Sequence, residues 1–481
     1  MFFLNNTEFL KIKKDQQFFI NIVFAFFPFA FVMGTFIVNI NTILFCILGI
    51  FCLKSKIIET NYNLIIKLLF LFFSLIFLST LINVSTIFYY TGYEKIHLER
   101  LIKSILFFRF FLMLIIIYLL NKVNILHFKY FFVTGALMAT FISVDIIFQY
   151  FFGFNIVGFP STGYHNTSFF RDEMIAGGFV LRFSIFSLFL TIFIFNKKKN
   201  IKLILYSILI CVLGLGILLS GNRMPLILYF FGLLVILIFN TNLRNYFVLG
   251  FVGLTAICSI VIAFDPSYKV NYRSIYGNAS NVLNLIVEPI KKIAIKKKLF
   301  VEKKEKDKIL IRFGAVVPTY ESAQRRIWLT AIDTWKFNKI FGNGLKSFRI
   351  VCIQLDEEFN MQEDMIVYYI PHEASYEKNR LCSNHPHNYF LEILTEFGIL
   401  GILITLAIIL SFVIFVYKNF IFFKEEKLKI LILSASVISF MLEMFPLRST
   451  GSLFTTNNIT YLVLISSIII CHKKVIEDFK A

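Results

Sequence analysis

Apolar runs of about 18–25 residues recur along the whole chain, and each is long enough to cross ~30 Å of hydrocarbon as a helix. Inside hydrocarbon every backbone N–H and C=O needs a partner within the segment or in a closed barrel. Unbroken runs of this length therefore mean helices rather than barrel strands. Composition agrees. Hydrophobic residues make up 58% of the chain and charged residues 16%, whereas a soluble domain carries about a quarter charged residues and could not hide so much apolar surface from water. The many Phe and Tyr residues read as filling for lipid-facing positions rather than as a site.

The runs predict spans near 17–35, 37–53, 63–82, 104–120, 128–152, 174–195, 201–219, 224–240, 246–264, 389–416, 428–446 and 457–471. The fold class expected is an all-α integral membrane protein of about twelve helices. Residues 1–264 would hold nine spans, 265–388 one large loop, and 389–481 three spans. A formal charge of +19 suggests nucleic acid as a partner, but its distribution argues against that. Alternate short connections carry Lys11, Lys13 and Lys14; Lys54 and Lys56; Lys122 and Lys129; Lys197, Lys198, Lys199 and Lys202; Arg244; Lys418, Lys424, Lys427 and Lys429; and Lys473 and Lys474. The opposite connections hold far fewer. This is the positive-inside asymmetry, and it predicts both termini in the cytoplasm and the large loop outside it. The first apolar run lacks a small-residue cleavage site and is followed at once by another, so it is expected to stay as a helix.

Two connections differ from the rest. Residues 83–103, with Glu94, Lys95, His97, Glu99 and Arg100, read as a short amphipathic surface helix. The loop 265–388 is the only segment long enough to hold structure of its own. Its lysine-rich stretch 288–308 suits either a helix on an anionic membrane surface or a solvated charged segment. Residues 323–349 read as a helix broken at Gly342-Asn343-Gly344, residue types that tolerate positive φ. No repeat of solenoid period is present.

The polar residues that could carry chemistry collect in and around this loop. His387 in His385-Pro386-His387-Asn388 could accept a proton from a hydroxyl nucleophile near neutral pH, and Pro386 stiffens the turn before the next helix. The alternative is a helix-start histidine that bonds a carbonyl. The His-x-His spacing also matches part of a metal site, but no further ligand set accompanies it. Asn388, Glu392 and Glu396 recur every four residues and share one helix face; carboxylates there must face protein or a wet cleft. Arg223, Arg325, Arg326 and Arg349 could together grip a diphosphate through bidentate forks, or could snorkel at the interface. Asp145 and Gln149, one turn apart in the fifth span, read either as functional or as glue between helices. The same two readings apply to Arg171, Asp172, Glu173 and Arg182. Cys352 and Cys382 both fall in the outer loop, where a bacterial periplasm would favour a disulfide. It would close about thirty residues and contribute ~3 kcal/mol.

The segment from Cys382 through His387-Asn388, Leu391, Leu394, Glu396 and Gly398 to Gly401 resembles the O-antigen ligase and O-antigen polymerase superfamily. Its His-Asn, spaced leucines and Glu-x-Gly-x-x-Gly carry the likeness. Ser220-Gly221-Asn222-Arg223, the Trp328 helix leading to Phe341–Gly344 and Ser347–Arg349, and the Asp145/Gln149 stretch support it. The segment departs from the family pattern in lacking a proline just before Gly342. The resemblance implies a GT-C-like membrane glycosyltransferase of the bacterial inner membrane. Its donor would be an undecaprenyl-diphosphate-linked glycan and its acceptor lipid A-core, with no cofactor or metal. His387 would be the base, and Arg223 with Arg325 or Arg326 would hold the diphosphate; Asn388, Glu392, Glu396, His385, Asp145 and Gln149 would support them. The combination Cys-Ser-x-His-Pro-His-Asn favours a ligase over a polymerase, which would use the same donor. A flippase would instead spread charge through a central cavity.

Overall fold

The computed structural model describes residues 14–54, 57, 60, 62–87, 94–162, 164–171, 173–194, 199–239, 241–272, 323–352, 380–422 and 427–471. Among them the chain is helical apart from two isolated bridges, Phe154 with Pro160 and Thr162 with His165. The helices are α1 (Lys14–Ala25), α2 (Phe27–Met33), α3 (Thr35–Leu53), α4 (Leu64–Ile87), α5 (Glu94–Lys122), α6 (Phe128–Phe152), α7 (Ala176–Ile194), α8 (Lys199–Leu219), α9 (Arg223–Phe239), α10 (Thr241–Phe264), α11 (Ala323–Phe337), α12 (Tyr389–Phe422), α13 (Lys427–Glu443) and α14 (Thr456–Ile470).

Six of the described helices are long and apolar enough to cross a membrane, or seven if the pair α1–α2, bent by 45°, counts as one. Five shorter apolar helices, within α7, α8, α9, α13 and α14, occupy other positions where the sequence predicts spans. Large side chains such as Phe36, Phe51, Leu137 and Phe151 point outward, as expected where the solvent is lipid. In the interior, Phe24, Phe45, Phe128 and Phe131 stack edge-on or tilted around one another. The packing pairs include α4 with α5 and α12, α6 with α7 and α8, α8 with α10 and α7, α3 with α5, α13 with α7, and α14 with α5.

The expectation for 83–103 needs correction. No separate surface helix forms there among the described residues; α4 and α5 extend into it from either side. Both helices outrun their apolar bands because their polar ends meet protein. Asn83 donates to the Gly342 carbonyl at 2.9 Å, and Arg100 donates to the carbonyls of Leu345 (2.8 Å) and Asn343 (2.6 Å). Arg100 is thus buried, not a surface charge. The stretch 288–308 lies outside the described residues.

Candidate active site at the start of α12

Asn388 caps α12. Its Oδ1 accepts the N–H groups of Phe390 (3.0 Å) and Leu391 (3.1 Å), as an N-cap side chain should. Its Nδ2 donates to the Pro446 carbonyl at 2.6 Å, so the cap also ties α12 to the α13–α14 connection. His387, immediately before it, has φ +55°. That left-handed conformation costs a non-glycine residue about 1–3 kcal/mol and persists only where surroundings enforce it. One restraint is visible: the Thr450 N–H donates to the His387 carbonyl at 3.1 Å.

Glu392, one turn into α12, holds that restraint in place. Its carboxylate accepts the Ser452 hydroxyl and, at 2.6 Å, the Leu453 N–H. The carboxylate face expected of Asn388, Glu392 and Glu396 is therefore met by protein, and all three are buried. Glu396 accepts the Lys346 N–H, while its Oε2 is buried without a partner among the described residues.

α12 then breaks. Gly398 has φ +64° inside an otherwise continuous helix, and the Gly342-Asn343-Gly344 turn fills the gap. Asn343 and Gly344 donate to the carbonyls of Thr395 (3.0 Å) and Glu396 (2.8 Å), and in return Ile399 donates to the Lys339 carbonyl at 2.9 Å. Backbone meets backbone so closely that a Cβ on Gly342 would lie 2.3 Å from the Glu396 carbonyl carbon, and one on Gly398 2.3 Å from the Ile340 oxygen. The two glycine motifs recognised separately in the sequence are two halves of one joint.

The same turn leads to Lys346 and Arg349. Arg349 is exposed and within electrostatic range of His385, Lys346 and Glu392. The His385 and His387 rings lie 4.1 Å apart between centroids. Burial, then the neighbouring His387 and Arg349, pushes His385 down to about 4. Burial also lowers His387, against an opposing hydrogen bond from its ring to the Thr450 backbone. Both imidazoles are therefore neutral near pH 7, which leaves a ring nitrogen able to take a proton. The His387 Nε2 lies 3.3 Å from the Ser383 hydroxyl, and the His385 Nε2 is buried with no partner among the described residues. Burial and the charge of Arg349 lower Lys346 as well.

A small satellite core supports the approach to these histidines. Ile327, Ala331 and Phe348 pack with Cys352, Leu381 and Cys382, and the structure joins Cys352 to Cys382 with their Cα atoms 5.7 Å apart. Asp333 pairs with Arg380; burial raises the Asp333 carboxyl, but hydrogen bonds from Lys336 and Arg380 outweigh it and hold it low. Arg326 is buried and donates to the Arg380 carbonyl at 3.0 Å. Its neighbour Arg325 is exposed. Next to it, Gln324 accepts the Ser449 hydroxyl at 3.0 Å, which sets the start of α11 over the loop that restrains His387.

His385, His387, Asn388, Glu392, Glu396 and Arg349 thus share one neighbourhood. Arg223 opens α9, exposed, within electrostatic range of the Tyr272 phenol. Asp145 and Gln149 lie elsewhere and are fully occupied. Asp145 accepts the Ile156 N–H at 2.9 Å and the Ser168 hydroxyl; Gln149 accepts the Ser168 N–H at 2.8 Å and donates to the Phe159 carbonyl at 3.1 Å.

Several residues in this neighbourhood escaped the sequence reading. Glu443 accepts Arg182 (2.7 Å), Arg448 (2.7 Å) and the Tyr389 hydroxyl (2.8 Å), directly behind the Asn388 cap. Removing one member of such a buried set typically costs about 3–5 kcal/mol. The signal available was an ionisable residue inside an apolar run. Among the described residues no group of three or more His, Cys, Asp or Glu side chains is arranged to hold a metal ion.

Residues 206–406 match the family model described as O-antigen ligase. This match supports a place in the O-antigen ligase-like superfamily. The matched stretch runs from α8 to the broken α12 and contains both histidines, the glycine joint and all four candidate arginines, but not Asp145 or Gln149. The match in turn supports a ligase- or polymerase-type enzyme. No curated relative matches the chain.

Proposed function

We propose that this chain is a glycosyltransferase of the O-antigen ligase type, moving a glycan from undecaprenyl diphosphate to lipid A-core at the periplasmic face of the bacterial inner membrane. In this reading all twelve apolar segments cross, in a GT-C-like arrangement with both termini cytoplasmic. The observation that carries it is the meeting of two neutral histidines with Arg349 and Lys346 over the capped start of α12, inside the stretch that matches the family.

His387 accepts the proton of the acceptor hydroxyl as its oxygen forms a bond to the anomeric carbon. The bond from that carbon to the diphosphate oxygen breaks, and the diphosphate leaves with the electron pair, inverting the centre. Arg223, Arg325 and Arg349 neutralise the leaving charge. Arg325, which is exposed, takes this role rather than Arg326, which is buried and donates one guanidinium nitrogen to the Arg380 carbonyl.

Purified protein supplied with lipid-linked glycan and lipid A-core should transfer glycan, and His387→Gln should not. Equal rates for the two proteins would remove the base. A lipopolysaccharide gel from a deletion strain separates the two acceptors. Uncapped core with accumulated long lipid-linked polymer identifies the ligase, while core capped by single repeats identifies a polymerase.

A further inference from the structure

Asp145 and Gln149 lie apart from the histidines, and they are buried, polar and fully hydrogen-bonded. What they hold is the connection between α6 and α7. Asp145 fixes Ile156 and Ser168, and Gln149 fixes Phe159 and Ser168. Those two segments form one wall of a cavity of about 490 Å³. The opposite wall is the junction of α2 and α3 at Gly34 (φ +103°), and Asn457 at the start of α14 closes the end.

The lining combines three kinds of chemistry. Arg171 (φ +53°) stacks its guanidinium 4.9 Å from the Phe159 ring centroid, which fixes the fork beside the cavity. Glu173 supplies a carboxylate, and the Oδ1 of Asn457 is buried without a donor among the described residues. Phe31, Phe159 and Phe170 supply apolar faces. The rim, at Met33, Val157 and Ile175, is apolar and exposed, as is required of a surface that meets lipid tails.

A guanidinium suits a phosphate. A carboxylate and an unpaired amide oxygen suit hydroxyl donors, and aromatic faces suit the C–H face of a sugar. A chain of hydrogen bonds starting at the residue after Asn457 links the cavity's end to the candidate active site. Asn458 accepts Arg182 at 2.5 Å and donates to the Ser452 carbonyl at 2.6 Å, and Ser452 donates to Glu392.

We propose that the cavity between the α2–α3 junction and the α6–α7 connection binds the phosphate- and hydroxyl-bearing headgroup of a glycolipid that enters sideways from the membrane, with Arg171 on the phosphate. That this lipid is the acceptor rests on the glycan-transfer reading; the binding itself does not.

The test uses full-length His387→Ala protein in detergent, titrated with bisphosphorylated lipid A, the same lipid after dephosphorylation, and phosphatidylglycerol. Retained lipid is read by native mass spectrometry. Arg171→Gln in this background should weaken retention of the bisphosphorylated lipid about tenfold, the scale of one charge-assisted contact. Arg171→Lys should restore part of it, and the dephosphorylated lipid should be held equally by all three proteins. Glu173→Gln, a second variant on the same lining, should weaken retention of both glycolipids a few-fold. Unchanged retention in Arg171→Gln and Glu173→Gln overturns the proposal, as does one-for-one displacement by phosphatidylglycerol. Continued glycan transfer by His387→Ala would remove the base and leave the binding result standing.

Discussion

The α6–α7 connection and the segment leading into α12 are both held by carboxylates on a neighbouring helix, but they use their hydrogen bonds in opposite ways. In the first, both oxygens of Asp145 and both ends of Gln149 are engaged with the connection itself. In the second, Glu392 is engaged, while the His385 Nε2 and Glu396 Oε2 remain buried without partners among the described residues. A buried polar atom without a partner is expensive. Asp145 and Gln149 therefore read as scaffold, although Asn155 Nδ2 and Thr167 Oγ1 in the same connection are also buried without partners among the described residues. The second region reads as a site with polar atoms left for a substrate. Residue type alone does not separate them, since both contain buried carboxylates within two turns of a helix end.

The largest expected effect falls on the joint between the second region and the rest of the fold. Gly398→Ala forces a side chain into positive φ and against the Ile340 carbonyl, where neither backbone can withdraw without opening the other. Folded yield in membranes should collapse, and the same should hold for Gly342→Ala. By contrast Gly153→Ala, also at positive φ (+79°) but with nothing within 4 Å of its Cβ, should cost only about 1–2 kcal/mol. Equal melting temperatures for Gly398→Ala and Gly153→Ala would show that the joint is not tight.

That joint also marks the limit of what the sequence makes legible. Span positions follow from apolar run length, and the Asn388, Glu392 and Glu396 face follows from helical spacing, because both are local properties. The glycine joint pairs residues about fifty positions apart, and Arg100 finds its carbonyls 243 and 245 positions away. In the sequence Arg100 sits in a charged string and reads as surface; only the folded turn around Asn343 explains its burial. Glu443 was hidden differently, inside an apolar run counted as a span, although Arg182 in another run was the matching charge. Arg325 and Arg326 are neighbours in sequence and diverge only because adjacent helical residues point about 100° apart.

His387→Ala tests the contrast between site and scaffold most directly. Loss of a positioned base should lower transfer about 10²–10⁴-fold with little change in melting temperature, since the imidazole holds only a 3.3 Å contact with the Ser383 hydroxyl and a hydrogen bond to the Thr450 backbone among the described residues. Asp145→Ala should do the reverse. It leaves the Ile156 N–H and the Ser168 hydroxyl without their partner, costing about 1–3 kcal/mol for each group left buried, while the transfer rate per folded molecule changes far less. A melting curve and a transfer assay on both variants decide the matter. If Asp145→Ala lowers transfer as steeply as His387→Ala without loss of stability, the α6–α7 connection belongs to the reaction after all.

The smallest effect is the response to pH, and its sign distinguishes the two histidines from solvated ones. Burial lowers His387 below the ordinary value of about 6.5, so the neutral, proton-accepting form persists as the medium is acidified. Transfer should hold through pH 6.5 and fall only below it; an acid limb centred at or above 6.5 would mean that His387 is not the group titrating. Stability follows the same direction through His385, lowered to about 4. Between roughly pH 6.5 and 4 the unfolded chain binds the proton that the folded chain refuses. The contribution is therefore complete above the unfolded value and lost as pH falls towards the folded one. The melting temperature of the wild type should drop between pH 7 and pH 5, and that of His385→Asn should drop less. The histidine contribution is absent if the two proteins lose stability in parallel.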